Sequence, residues 1–131
     1  MEQKAKHFRK RDAVLTCLRE TDTHPSAEWV HTQLKTDYPD ISLGTVYRNL
    51  AYFKDQGTIV SLGTVKGVER FDGNTAPHVH FICTGCGKIL DLMQLKVPEE
   101  LSEAASNYSG GIAEGCQLTF TGLCCNCKTI N

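Results

Sequence analysis

Apolar side chains recur every three or four positions in the first half of this chain and alternate over short runs in the second. Residues 8–20 place Phe8, Val14, Leu15 and Leu18 at helical spacing. His24-Pro25-Ser26 then opens a second helix, with Ser26 placed to cap Ala27-Glu28-Trp29-Val30 through Leu34. Ile41-Ser42 opens a third, in which Leu43, Val46, Leu50 and Phe53 form one buried stripe until Gly57 ends it. Two β-like runs follow, Thr58-Ile59-Val60-Ser61-Leu62 and Val68-Glu69-Arg70-Phe71, joined as a hairpin through Lys66-Gly67.

Three helices and a hairpin are the layout of a winged helix-turn-helix. The third helix would then present Thr45, Arg48 and Asn49 to a major groove. A small helical domain with a β-ribbon and another role shares the same pattern.

Gly73-Asn74-Thr75-Ala76-Pro77 is turn-rich and predicts a linker. Beyond it, Val79-His80-Phe81-Ile82 and Lys88-Ile89-Leu90-Asp91 read as strands, and Pro98 with Glu99 and Glu100 as a helix start. Leu101, Ala105 and Tyr108 give that helix an apolar side, Gly110-Gly111 ends it, and residues 112–123 read as a returning strand. The expected architecture is α+β, with a winged-helix DNA-binding domain over 1–72, a hinge over 73–77 and an α/β dimerisation domain over 78–131. A unit of roughly 55 residues is marginal as an isolated core. It calls for a metal and a partner surface, and a homodimer on a palindromic site in double-stranded DNA supplies the second.

Composition narrows the class. The chain is 40% apolar and 22% charged, which is globular. No apolar run approaches the ~20 residues of a membrane span, and residues 1–11 hold no apolar signal-peptide core, so a cytoplasmic protein without membrane partners is expected. The net charge of −1 hides an asymmetry. Residues 1–70 carry 11 Lys/Arg against 9 Asp/Glu, and residues 71–131 carry 3 against 6. Lys4, Lys6, Arg9, Lys10 and Arg11 read as a basic arm able to track phosphates, or as a solvated basic tip.

The seven cysteines carry the strongest chemical signal. Cys83-Thr84-Gly85-Cys86 and Cys124-Cys125-Asn126-Cys127 are two CxxC turns, and four thiolates from two such turns close a tetrahedral cage around one structural Zn²⁺. Cys125 is a competing ligand by position, Cys116 is spare, and Cys17 falls on the first helix as an apolar residue. Beside the first turn, His78 and His80 alternate toward one face and Asp91 follows, a nitrogen- and oxygen-rich set suited to a second, exchangeable metal. His24, taken alone, reads first as a helix cap and only second as a ligand; His7 and His31 read as surface residues, with His7 near enough to the terminus to reach a metal. A filled cage and an exchangeable site describe a sensor, not an enzyme.

Ser42-Leu43-Gly44-Thr45-Val46-Tyr47-Arg48-Asn49-Leu50 resembles the recognition helix of the ferric uptake regulator (Fur) superfamily of metal-dependent repressors. The resemblance continues through His24-Pro25-Ser26-Ala27-Glu28, Arg70-Phe71-Asp72, His78 to Asp91 and the closing CxxC, covering essentially the whole chain. It implies a regulatory Fe²⁺ or Mn²⁺ held by His24, Asp72, His78, His80 and Asp91. Asp91, where iron-sensing relatives usually carry Glu, points to the peroxide-responsive branch. There iron-catalysed oxidation of a ligand histidine releases DNA, and the corresponding targets are His24 and His78. The resemblance also implies base contacts by Tyr47 and Arg48, with Lys4, Lys6, Arg9 and Arg11 on phosphates or in the minor groove. One departure bears on the footprint: Phe8-Arg9-Lys10-Arg11 stands where relatives carry a Thr-Pro-Gln-Arg-like run.

Two other readings compete. An iron- or zinc-level regulator keeps the fold and changes the signal. A thiol redox switch would use the CxxC pairs as reversible disulfides, but neither pair has a thioredoxin-like βαβ context.

Overall fold

The computed structural model describes residues 2–76 and 78–129, with side chains from residue 9 onward. It divides into two compact units, Met1–Thr75 and Ala76–Asn131.

The first unit holds α1 (Glu2–Glu20), α2 (Ala27–Leu34), α3 (Leu43–Asp55) and a hairpin of β1 (Val60–Val65) and β2 (Val68–Asp72). The residues expected to form an arm are instead the first turns of α1, which begins at Glu2. Their composition explains the difference, because Glu2, Gln3, Lys4, Ala5 and Lys6 are all good helix formers with no Gly or Pro among them. The side chains of Lys4, Lys6, His7 and Phe8 lie outside the described residues.

Both later helices start on a serine. Ser26 accepts a hydrogen bond from the Trp29 N–H at 3.2 Å, and Ser42 accepts one from the Thr45 N–H at 3.1 Å. Each satisfies a donor that the first helical turn otherwise leaves orphaned. The expected stripes converge on one core, in which Val14 and Leu18 of α1 meet Val30 of α2 and Val46 and Leu50 of α3. Each is 1% exposed or less. Burying side chains of this size contributes about 1.5–3 kcal/mol apiece.

The hairpin closes through Lys66 and Gly67, whose φ values of 52° and 82° are those of a two-residue turn matching the strand twist. A bulge between Ser61 and Gly63 shifts the register, after which Val60 pairs with Asp72 and Ser61 with Phe71. This hairpin is the wing.

In the second unit a three-stranded sheet runs in the order β4-β3-β5, with β3 (Val79–Cys83) between β4 (Ile89–Leu92) and β5 (Thr119–Gly122). The β3–β4 pair is antiparallel and the β3–β5 pair parallel. Helix α4 (Glu99–Ser109) supplies the crossover that a parallel pair requires. It begins after Pro98 and ends on Gly110, whose φ of 74° lets its N–H reach the Ser106 carbonyl at 3.0 Å. The returning strand is shorter than expected, 119–122 against 112–123. Gly111 and Gly115 interrupt the earlier stretch, and pairing with β3 begins only at its end, where the Leu118 carbonyl accepts the His80 N–H at 3.1 Å.

The second core is small. Val79, Cys83, Ile89 and Cys124 are its buried apolar members, and α4 buries none of its residues. The apolar side expected of α4 exists but is uncovered, with Leu101 half exposed and Tyr108 almost fully so.

Candidate metal centres and recognition helix

Cys83 ends β3, and the turn to Cys86 brings both thiols to one side of the sheet end. The second turn carries Cys124 and Cys127 to the same point, so that the four Sγ atoms lie within 4.8 Å of one another. Cys86 Sγ and Cys124 Sγ are 3.8 Å apart. Gly85 leaves no slack, because a Cβ there would stand 3.0 Å from Cys127 Sγ.

Main-chain donors prepare this cluster for negative charge. The Cys124 and Cys86 N–H groups each donate to Cys83 Sγ at 3.4 Å and hold its thiol down at about 6. Cys124 is lowered in the same way by the N–H groups of Cys127 and Asn126. Cys127 moves the other way, pushed up to about 12 by hydrogen bonds to the Cys83 and Cys124 sulfurs, then by burial and, least, by the charge of Cys124. Four thiols in one small volume cannot all ionise unaided, and a soft dication is what allows it. The donor set therefore fits Zn²⁺. Cys125 stands apart, exposed, with Asn126 as its neighbour, and Cys116 is also exposed. Cys17 is half-buried against the first core, its thiol raised by burial and then by Glu20.

The remaining candidate ligands form one group in each unit. In the first, His24 Nε2 lies 3.4 Å from Asp72 Oδ2, and both side chains are buried. Asp72 Oδ1 accepts the Asn74 N–H at 2.9 Å, which fixes the carboxylate. His24 has a φ of 53°, a left-handed backbone uncommon for histidine and held only where the surroundings impose it. Arg70 imposes it. Its Nε donates to the His24 carbonyl and its second guanidinium nitrogen donates to the Thr23 carbonyl at 2.8 Å. The Phe71 N–H adds a bond to the Pro25 carbonyl at 3.0 Å.

In the second unit, His80 and Asp91 are direct partners across β3 and β4, so the pleat turns both to one face. His78 Nε2 and His80 Nε2 approach the same oxygen, Asp91 Oδ1, at 3.1 and 3.3 Å. His78 Nδ1 lies 2.6 Å from the Ala76 carbonyl. Donating there directs Nε2 toward Asp91, the arrangement that backs metal-bound histidines. Imidazole and carboxylate donors with no thiolate suit Fe²⁺ or Mn²⁺.

On α3, Tyr47 and Arg48 face outward and Thr45 is half-exposed. Arg48 donates to Thr45 Oγ1 at 3.0 Å. Asn49, expected on the open face, is only 7% exposed and accepts from Arg11 Nε at 3.4 Å. One helical turn from Val46 and Phe53, it falls on the flank of the buried stripe. Arg11, expected on phosphate, lies with its guanidinium 4.1 Å from the Tyr52 ring centroid. Arg9 is exposed, and Lys10 pairs with Asp40 at 3.3 Å. His31, expected at the surface, is half-buried with Nε2 3.0 Å from the Ile41 carbonyl.

Two side chains at these sites escaped sequence reasoning. Arg70 and Glu28 stand in the sequence only as members of motifs, with no role of their own. Tyr47 donates its hydroxyl proton to Glu28 Oε1 at 2.6 Å.

Comparison with known proteins agrees with this geometry. Residues 2–120 match the sequence profile of the Ferric uptake regulator family. The peroxide-responsive repressor PerR of Staphylococcus aureus (strain USA300) is 36% identical over 121 residues, spanning 91% of this chain and 80% of that protein. Among solved structures, the Campylobacter jejuni peroxide stress regulator superposes with a TM-score of 0.80 at 28% identity, covering 95% of this chain and 92% of that one. The Helicobacter pylori ferric uptake regulator Fur, described as having three functional metal-binding sites, gives 0.76 at 25% identity, over 92% and 80%. This chain belongs to the ferric uptake regulator family.

Proposed function

We propose that this protein is a homodimeric, metal-dependent transcriptional repressor that binds a palindromic operator in double-stranded DNA and senses hydrogen peroxide through bound iron. The observation that carries the reading is the segregation of donors: four clustered thiols at one site, and only imidazole and carboxylate at His24/Asp72 and at His78/His80/Asp91. Cys83, Cys86, Cys124 and Cys127 hold a permanent Zn²⁺ that substitutes for the missing core of the second unit.

His24 and Asp72 ligate one regulatory ion together with His78, His80 and Asp91. Because the hinge over 73–77 separates the two groups in the chain, an ion bound by both favours one arrangement of the two units, the one that fits DNA. It shifts the population only by its preference for that arrangement. Fe²⁺ held by these residues would catalyse a net step in which hydrogen peroxide gives one oxygen atom to a histidine ring carbon and leaves as water, whereas Mn²⁺ would support DNA binding without that reactivity. The chain contributes the imidazole carbons of His24 and His78 as the groups oxidised, and losing either weakens the clamp and releases the operator.

Asp91 and the similarity to a peroxide-responsive repressor favour peroxide over metal level as the signal. The exposed Leu101 and Tyr108 of α4 and Phe120 of β5 provide apolar surface for the dimer. Tyr47 and Arg48 read bases, with Thr45 and Arg9 beside them.

Titration of an operator-containing duplex with and without Mn²⁺, coupled to light scattering, tests the coarse reading. Metal-dependent binding of two chains per site is expected. Binding indifferent to Mn²⁺ would remove the regulatory-ion role.

A further inference from the structure

The Tyr47–Glu28 hydrogen bond has no evident part in holding the fold. Both side chains are exposed, and α2 and α3 are already locked by Val30, Val46 and Leu50 beneath them. A 2.6 Å bond from a phenol to a carboxylate is nevertheless short and charge-assisted. It joins the first turn of α2 to the outward face of α3, across the two helices of the helix-turn-helix.

We propose that Glu28 is a positioning residue for DNA specificity, holding the Tyr47 ring ready to meet a base edge while repelling phosphate. This rests on the DNA-binding reading above. The hydroxyl of a tyrosine has one proton, and here it is committed to Glu28 Oε1. Tyr47 therefore keeps no donor for a phosphate oxygen, and its remaining recognition surface is the ring, which packs on a thymine methyl. An otherwise mobile side chain is also ordered before binding, which reduces the entropy lost when it docks. The carboxylate disfavours any register that brings backbone phosphate close. Together these effects favour base contact over indiscriminate backbone contact. Arg48, tied to Thr45 Oγ1 one residue along, supplies the donor that Tyr47 lacks.

The test uses the full-length, Mn²⁺-loaded protein. A preferred duplex is first recovered from a random-sequence pool with the wild-type protein. Fluorescence anisotropy at fixed salt then gives the affinity ratio between that duplex and a scrambled one. Glu28→Ala and Tyr47→Phe are each expected to lower the ratio roughly five-fold, with Glu28→Ala binding the scrambled duplex at least as tightly as wild type. In the double variant the loss should fall short of the product of the single losses, since the hydrogen bond is removed twice and the carboxylate's repulsion only once. Glu28→Gln, which keeps an acceptor for the phenol, should recover most of the ratio. An unchanged ratio in Glu28→Ala, independent losses that multiply in the double variant, or failure of Glu28→Gln to recover any of it would overturn the proposal. If the wild-type protein selects no sequence, the DNA-binding reading itself fails, an outcome seen before any variant is made.

Discussion

Arg70, on the second strand of the wing, holds the main chain of His24 through two carbonyls in a conformation histidine rarely adopts. The sequence separation is 46 residues, so the contact ties the turn before α2 to the end of the hairpin. His24 and Asp72 thus meet because β2 delivers both the carboxylate and the clamp.

Arg70→Ala should therefore weaken the regulatory ion without touching the cysteine cluster. Supporting residues behind a metal ligand are worth about 10- to 100-fold in affinity. Isothermal titration with Mn²⁺ should show a loss in that range while zinc content stays at one per chain. Unchanged Mn²⁺ affinity would mean that the clamp serves the wing alone.

The thiols sort into three classes. Exposed Cys116 and Cys125 should alkylate quickly in the zinc-loaded protein, and Cys17, half-buried with a raised pKa, slowly. Cys83, Cys86, Cys124 and Cys127 should be protected until a strong chelator removes the zinc, and far-UV signal from the second unit should fall with it. Peptide mass spectrometry after timed alkylation reads this directly. Early labelling of Cys83, whose thiol the main-chain donors hold down at about 6, would speak for a free thiol switch instead.

Arg48→Ala should lower affinity for a selected operator by roughly ten-fold or more while changing random-sequence affinity far less. Arg9→Ala, at an exposed cation, should lower both together. Filter binding against the two duplexes distinguishes them. Equal losses for Arg48→Ala would assign it to the backbone.

Elements with strong local signals were legible in the sequence. Ser26 and Ser42 announced α2 and α3, Lys66-Gly67 the wing turn, and Gly110 the end of α4, because caps and left-handed turns are dictated by single residues. The CxxC pairs marked their cluster for a similar reason, since two tight turns leave thiols few places to point. What sequence alone missed depends on packing. Asn49 looks polar and outward until the flank of the α3 stripe is counted. The start of α1 looked like an arm because its charge pattern hid good helix formers. Arg70 and Glu28 act through partners 46 and 19 residues away, and no local periodicity reveals such pairs.

The account turns on what peroxide does to the regulatory ligands. The protein should be loaded anaerobically with Fe²⁺, treated with about one equivalent of hydrogen peroxide and mapped by peptide mass spectrometry, with an Mn²⁺-loaded sample alongside. One added oxygen on the His24 or His78 peptide, absent with Mn²⁺ and accompanied by loss of DNA binding, is the predicted result. Intact histidines, with DNA binding that follows metal concentration alone, would contradict it.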